Sequence, residues 1–306
     1  MNLLASHFGP LSRQREVTSL NEIMSERRQL INLAYRLLGS LTDAEDVVQE
    51  TYARWYAMSP GEQQAIDAPG AWLTTVASRI CLDQLRSARA RRERYVGEWL
   101  PEPLPEHTDT PGDPADRVTL DESITMAFLV VLDSMTPAER VAFVLHDVFR
   151  YPFAEVAEVV GRAPTACRQL ASSARRRVRA AQRAPIPSAE HAEVVRAFKQ
   201  AWEAKDIEAL VGLLDPDATA IGDGGGVVAA ALHPIEGGER IAQGLVDIAN
   251  GVPDLKVLER VVNGQPGLIG QMGGVTVLVA AFDIVDGRVK HIWGVRNPEK
   301  LKPWTS

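Results

Sequence analysis

Residues 42–51, Thr-Asp-Ala-Glu-Asp-Val-Val-Gln-Glu-Thr, constrain this chain more than any other stretch. Thr42 followed by Glu45 reads as a capping box, in which a hydroxyl and a carboxylate satisfy orphan backbone donors reciprocally, so a helix is predicted to begin here. Asp43, Asp46 and Glu50 recur at spacings of three and four, with Gln49 beside them, and make an acidic stripe. Ala44, Val48, Tyr52 and Trp55 form the apolar stripe that docks the helix on its neighbours. By itself such a stripe fits either solvated surface or a face for a basic partner.

Charge elsewhere along the chain is unevenly placed. The net charge of −7 would argue against nucleic acid if it were evenly spread, but it is segregated. Arg86, Arg89, Arg91, Arg92 and Arg94 form one basic block, and Arg162, Arg168, Arg175, Arg176, Arg177, Arg179 and Arg183 a second. Between them Glu102, Glu106, Asp109, Asp113, Asp116, Asp121 and Glu122 are relieved only by Arg117. Two cationic patches joined by an anionic strap imply two separate contacts with a polyanion.

The 306 residues, 45% of them hydrophobic, suffice for two or three domains, each with its own core. A first all-helical domain is expected over 20–97, with helices at 28–38 (stopped by Gly39), from 42 to Tyr56, and at 71–92. A proline-rich acidic linker, expected to be flexible, follows over 98–115. A second helical domain is expected over 116–183. It has a capping box at Thr136 and Glu139, a short amphipathic helix ended by Gly161, and a helix opened by Pro164 with Ala166, Leu170, Ala174 and Val178 inward. Thr165, Arg168, Gln169, Ser172, Arg175 and Arg176 lie opposite that row, and two short helices about a glycine turn match a helix-turn-helix. Cys81 and Cys167 lie inside predicted helices, which excludes a disulfide framework. No run approaches the roughly 18 apolar residues of a membrane span, and no secretory signal is visible. The expectation is a cytoplasmic protein without a membrane partner, cofactor or metal.

In order, spacing and character these segments resemble regions 2 and 4 of extracytoplasmic-function sigma factors of the sigma-70 family, over about residues 20–183. Residues 43–50 are similar to the region-2 helix that grips the clamp of the polymerase largest subunits, which implies Asp43, Asp46, Gln49 and Glu50 as polymerase contacts. The stretch from Trp72 to Arg86 resembles the helix that reads the −10 element, implying roles for Trp72, Arg79, Asp83, Arg86 and Arg89. Residues 136–180 resemble the −35-binding domain, which implies Thr165, Arg168, Gln169, Ser172, Arg175 and Arg176. The resemblance thus implies promoter-specific initiation with core RNA polymerase, held at clamp and flap, and with no active site in this chain. Arg168 or Arg176 can pair with guanine edges and Gln169 with adenine, each good bidentate pair discriminating by about 1–3 kcal/mol.

From 188 to 306 the period changes. An amphipathic helix (Val194, Val195, Phe198, Trp202) and a short one precede strands expected at 218–221, 227–231, 255–262, 275–285 and 288–295, with a helix near 238–246. Asp286-Gly287 is a hairpin signal. This α+β pattern resembles the SnoaL-like cone fold shared with nuclear transport factor 2, which hosts enzymes and inert modules alike. Candidate pocket groups are Trp202, Asp217, His233, His291 and Trp293, with Val289, His291, Trp293 and Val295 expected on one sheet face.

Trp99-Leu100-Pro101-Glu102-Pro103, Asp223-Gly224-Gly225-Gly226 and Asn297-Pro298-Glu299-Lys300-Leu301 resemble motifs of the sigma subgroup that carries a fused SnoaL-like tail. There the glycine motif usually ends in lysine, whereas Val227 follows here. Membership implies that the tail adjusts sigma activity in cis, and a small-molecule effector in its cavity is compatible with that. The expectation drawn from these motifs is that the tail packs against residues 99–103 and constrains the two DNA-binding domains. Two alternatives stand beside it: a cyclase or isomerase fused to a DNA-binding module, and a ligand-responsive regulator without a sigma role.

Overall fold

The computed structural model describes residues 26–92, 95–106, 124–181 and 188–304. The first helical module contains α1 (26–38), α2 (Leu41–Tyr56), α3 (Pro60–Gln64) and α4 (Pro69–Arg92). The second contains α5 (Met126–Asp133), α6 (Pro137–Phe143) running into a π-turn at Val144–Val148, α7 (Phe153–Val160) and α8 (Pro164–Ala181). The tail follows with α9 (Ser188–Ala204), α10 (Ile207–Leu213), β1 (Leu214–Asp223), β2 (Ile235–Glu236) and α11 (Gly238–Gly251). It is completed by β3 (Lys256–Val262), β4 (Gln265–Met272), β5 (Val275–Val285), β6 (Arg288–Val295) and a 3-10 helix, Pro298–Trp304.

Local chemistry explains most boundaries and corrects some expectations. The cap of α2 is Ser40, whose Oγ accepts from the Asp43 amide (3.2 Å), so the expected Thr42–Glu45 box is not the cap. The box at Thr136 and Glu139 is present, and Ser59 with Glu62 makes another that starts α3 inside the expected 57–70 connection. Gly161 ends α7 with φ +71, a conformation that glycine enters without steric cost. The inward row of α8 is Cys167, Ala171, Ala174 and Val178, one position on from the expected Ala166 and Leu170, which are half-buried.

The two helical modules do not have separate cores. Leu30, Tyr35, Val47, Leu73, Cys81, Leu132, Val141, Val156 and Cys167 belong to one continuous cluster. Arg140 pins it, donating from Nη1 to the Leu37 carbonyl (2.8 Å) and pairing through Nη2 with Asp133 (2.8 Å).

The tail sheet has six strands in the order β2-β1-β6-β5-β4-β3, antiparallel except for the parallel β1–β6 pair. One face packs on α9, α10 and α11 through Phe198, Trp202, Ile241, Phe282 and Ile292. The other receives α5 and residues 99–105 through Leu100, Met126, Ile269, Trp293 and Leu301. No strand forms at 227–231; those residues are the turn and coil after β1. An unexpected strand, β4, carries Pro266, Gly267 and Gly270, which break any alternation. A register shift between Asp283 and Ile284 leaves Lys290 opposite no partner, so Val289 joins the helix-covered face while Trp293 and Val295 point the other way.

The expected flexible linker is ordered in its first part: Leu100, Pro101, Glu102, Pro103 and Leu104 are buried. The acidic run from Asp109 to Glu122, the expected module boundary at 116 and the prolines Pro185 and Pro187 lie outside the described residues.

Candidate functional site

The acidic stripe of α2 faces outward. Asp43, Asp46, Gln49 and Glu50 are exposed, while Leu41, Ala44, Val47, Val48 and Thr51 are buried, as a 3.6-residue period dictates. Glu50 makes a local ion pair, 2.8 Å from Arg54 one turn on. The stripe is therefore an accessible anionic surface on a well-anchored helix.

On α4, Leu73, Ala77, Cys81, Leu82 and Leu85 are buried, and Arg79, Asp83 and Arg86 are exposed. Trp72 is half-buried with its ring 5.3 Å from that of Trp55. Asp83 and Arg86 pair at 3.2 Å. Arg79 donates from Nη2 to the Glu158 carbonyl of α7 (3.1 Å), so the α4 surface is in contact with the second module. The side chain of Arg89 lies outside the described residues. On α8, Thr165, Arg168, Gln169 and Arg176 are exposed, and Ser172 is half-buried. The Arg168 guanidinium lies 5.5 Å from the centre of the Phe153 ring, which orients it. Arg175 differs from its neighbours: its Nε is 2.8 Å from Asp147 and its side chain is only 36% exposed, so it is tied to the π-turn of its own module.

A heavily bonded group is Asp223, at the end of β1. Its exposure is 0%, and its carboxylate receives four donors. Oδ1 accepts from the Tyr95 hydroxyl (2.6 Å) and the Gly225 amide (3.0 Å); Oδ2 accepts from the Leu100 amide (2.9 Å) and Lys300 Nζ (2.6 Å). Lys300 also donates to the Leu100 carbonyl and sits 4.1 Å from the Trp99 ring centre and 5.5 Å from that of Tyr95. Asn297 closes the ring, donating from Nδ2 to the Tyr95 hydroxyl (3.0 Å) and accepting at Oδ1 from the Glu299 amide (3.1 Å), which starts the 3-10 helix that delivers Lys300. Gly225 and Gly226 turn with φ +65 and +71, and a Cβ on Gly225 would stand 2.5 Å from the Asn297 side chain. Of the three motifs, Gly226, Pro298 and Glu299 stay exposed, and Leu301 fills the apolar layer beside Leu100. Val227, where a lysine was expected from the motif, is 74% exposed and takes no part.

A second anchor lies at the other end of the strap. Asn263, in the β3–β4 turn, is buried; its amide donates to the Leu104 carbonyl (2.9 Å) and its Oδ1 accepts from the Leu104 amide (3.2 Å). Its Nδ2 donates to the Tyr35 hydroxyl (2.9 Å), which in turn donates to the Glu102 carbonyl (2.7 Å). Glu102 accepts the Leu41 amide at Oε2 (2.8 Å), so the strap supplies a second cap to α2. Burial pushes the Glu102 carboxyl up to about 7, against the lowering effect of the hydrogen bonds from Leu41 and Ser40. Trp99 covers Gly39, where an added Cβ would lie 2.8 Å from the indole. Residues 95–105 are thus held by the tail through Leu100 and by the helical core through Leu104.

Neither Tyr95 nor Asn263 stood out in the sequence. Asn263-Gly264 is a hairpin dipeptide, with both residues at positive φ, and could have been found by the same rule as Asp286-Gly287.

The expected pocket groups do not converge. Trp202 lines an apolar cavity of about 160 Å³ between α11 and the sheet. Asp217 and His233 are exposed, and Trp293 is buried on the opposite face. His291 shares a 2.6 Å hydrogen bond with Thr219 and stacks on Trp293. The cavity lining contains no carboxylate, imidazole, hydroxyl or thiol, and Arg296 is its one charged residue. Among the described residues, no group of His, Cys, Asp and Glu is arranged to hold a metal, and no helix is long and apolar enough to cross a membrane.

Comparison with known proteins accounts for this layout. Residues 23–91 match Sigma-70 region 2 and residues 125–178 match Sigma-70, region 4. The chain is 40% identical over 296 residues to the ECF RNA polymerase sigma factor SigJ of Mycobacterium tuberculosis, covering 92% of this chain and 93% of that one. It is 34% identical over 282 residues to the probable ECF RNA polymerase sigma factor SigI of the same species, covering 91% and 93%. The crystal structure of Mycobacterium tuberculosis SigJ matches with a TM-score of 0.74 at 36% identity, over 93% of this chain and 98% of that one.

Proposed function

Because the chain belongs to the extracytoplasmic-function sigma factors, which direct promoter-specific initiation by core RNA polymerase, we propose that its tail is a clamp acting in cis on the two DNA-binding modules. The observation that carries this is the strap, residues 95–105, fixed to the tail by Asp223 and Lys300 and to the helical core by Leu104 and Glu102. The −10 and −35 elements are some 25 base pairs apart, roughly 85 Å of B-form duplex. The helices that would read them instead share one core, with Arg79 bonded to Glu158. With the strap docked, the chain from Glu106 to Met126 can span at most about 65 Å; released from Arg92 onward it spans about 110 Å. Release therefore supplies the reach that promoter engagement needs.

Roles for individual residues follow from exposure. Asp43, Asp46, Gln49 and Glu50 present charge to a basic polymerase surface, where complementarity speeds and orients docking. Thr165, Arg168, Gln169 and Arg176 read or position the −35 duplex, while Arg175 supports the helix through Asp147. Trp72, Arg79, Asp83, Arg86 and Arg89 serve the −10 element once the second module moves off α4. Such a protein works beside the polymerase, in the cytoplasm. We assign the tail no catalysis, since its cavity offers no acid or base.

In-vitro transcription with core polymerase, on a promoter selected from a random library, tests this. Trp99→Ala loosens the strap and should raise promoter-dependent RNA above wild type while leaving −35 duplex binding unchanged. Equal RNA from both proteins would sink the clamp reading.

A further inference from the structure

We propose that the tail cavity is a binding site for small, uncharged apolar molecules of about six to ten heavy atoms, and that its occupancy is sensed by the Asp223 turn. The proposal rests on the clamp reading above but is tested apart from transcription.

Size and chemistry define the ligand. The cavity measures about 160 Å³ and is walled by Phe198, Trp202, Ile241, Leu278, Phe282 and Ile292. An enclosed apolar void of roughly 150 Å³ takes up benzene because water finds too few polar partners there; the cavity here is open on one side but has an equally apolar wall. Here the one indole N–H in the wall is already spent on the Leu245 carbonyl (2.7 Å), and Arg296 Nη1 on the Ala229 carbonyl. Apart from Arg296, whose Nη1 bonds the Ala229 carbonyl on the exposed side, the wall offers no group to hold an anion or a polar head, so an apolar body of about benzene to bicyclic size fits best. The empty volume persists because the wall also carries small residues, Ala220, Gly222, Ala230 and Gly244 among them.

The coupling is read from shared backbone. Gly222 and Ala230, both in the wall, flank the Asp223–Val228 turn. Arg296, also in the wall, donates its amide to the Asp223 carbonyl (2.7 Å). The outer side of the same turn touches the strap: a Cβ on Gly226 would lie 3.0 Å from Val96, and Gly97 faces Leu232. The segment 222–232 is therefore a single layer between cavity and strap, and whatever seats against its inner side sets the position of the Asp223 carboxylate on its outer side.

The test uses toluene as probe and the full-length chain. Calorimetry should show saturable one-to-one binding, and hydrogen exchange at the Leu100 amide, the strap donor to Asp223, should slow several-fold with toluene bound. Gly244→Leu projects a side chain into the void, where the nearest atom to the new Cβ is 4.0 Å away, and adds helix propensity, so the variant should fold and bind toluene at least tenfold more weakly. Ala230→Leu fills the same space from the loop and guards against a folding defect in the first. Absence of saturable binding to wild type, or undiminished binding in both folded variants, overturns the site. Binding that leaves Leu100 exchange unchanged overturns the coupling.

Discussion

Carboxylates occur in two opposite settings in this molecule. Those of α2, Asp43, Asp46 and Glu50, stand in water with at most one ion partner. Asp223 is sealed from solvent and meets four donors, one of them a lysine ammonium. An exposed charge contributes little to stability, being screened and hydrated, and is available to a partner. A buried charge is costly to desolvate and is tolerated only with complete partnering, so removing either partner is severe. The first setting suits the docking face proposed for α2, and the second is a joint between strap and tail.

The largest expected effect breaks the second setting. Asp223→Ala leaves Lys300 buried without its anion and should cost about 3–5 kcal/mol in urea denaturation of the full chain. A loss under 1 kcal/mol would show that the joint is not held by charge. Glu102 comes next, with a pH signature. Its folded value, about 7, lies above its unfolded value of 4.5, so its contribution is fully present below about pH 4.5 and is lost as pH rises through 7. Glu102→Gln should therefore gain stability relative to wild type between pH 5 and pH 8, by up to about 3 kcal/mol; parallel pH profiles would refute the assignment. Asn263→Ala removes the acceptor of the Leu104 amide and the donor to the Tyr35 hydroxyl together, for about 1–3 kcal/mol and faster hydrogen exchange at Leu104. The smallest change in stability belongs to the exposed face: Asp46→Lys should stay within about 0.5 kcal/mol of wild type yet weaken binding to core polymerase. A large loss of stability there would erase the contrast between the two settings.

That contrast also separates what could be read from the chain alone. The stripe of α2, the helix-turn-helix and the β5–β6 hairpin are local patterns, set by residues three, four or one apart, and all are present in the structure. The three tail motifs were visible as residues, but their meeting at Asp223 joins positions 95, 100, 223, 297 and 300, which no period reveals. The strap carries two conflicting signals, an acidic, proline-rich composition that reads as flexible and a Trp99–Pro103 motif that reads as a dock for the tail; its backbone finds partners in Asn263, Gly39 and Asp223, and the segment is ordered. Strand β4 is not legible as a strand because Pro266, Gly267 and Gly270 erase alternation, and Gly270 is required by crowding that no period reveals, since a Cβ there would stand 2.9 Å from Leu255. His291 and Trp293 left the expected pocket because a bulge, not the two-residue repeat, sets their face. Arg175 has the composition of a DNA contact and the partner of a structural one.

The position of Lys300 along the chain gives the clamp an order in time. Synthesis runs from α1 toward the tail at roughly 5–20 residues per second, and domains fold in that order. Both nucleic-acid-reading modules are thus complete well before Lys300 is made, an interval on the order of ten seconds at those rates. If the tail is the proposed clamp, a newborn copy has its reading modules formed before its lock is assembled, so restraint is acquired only after the parts it restrains.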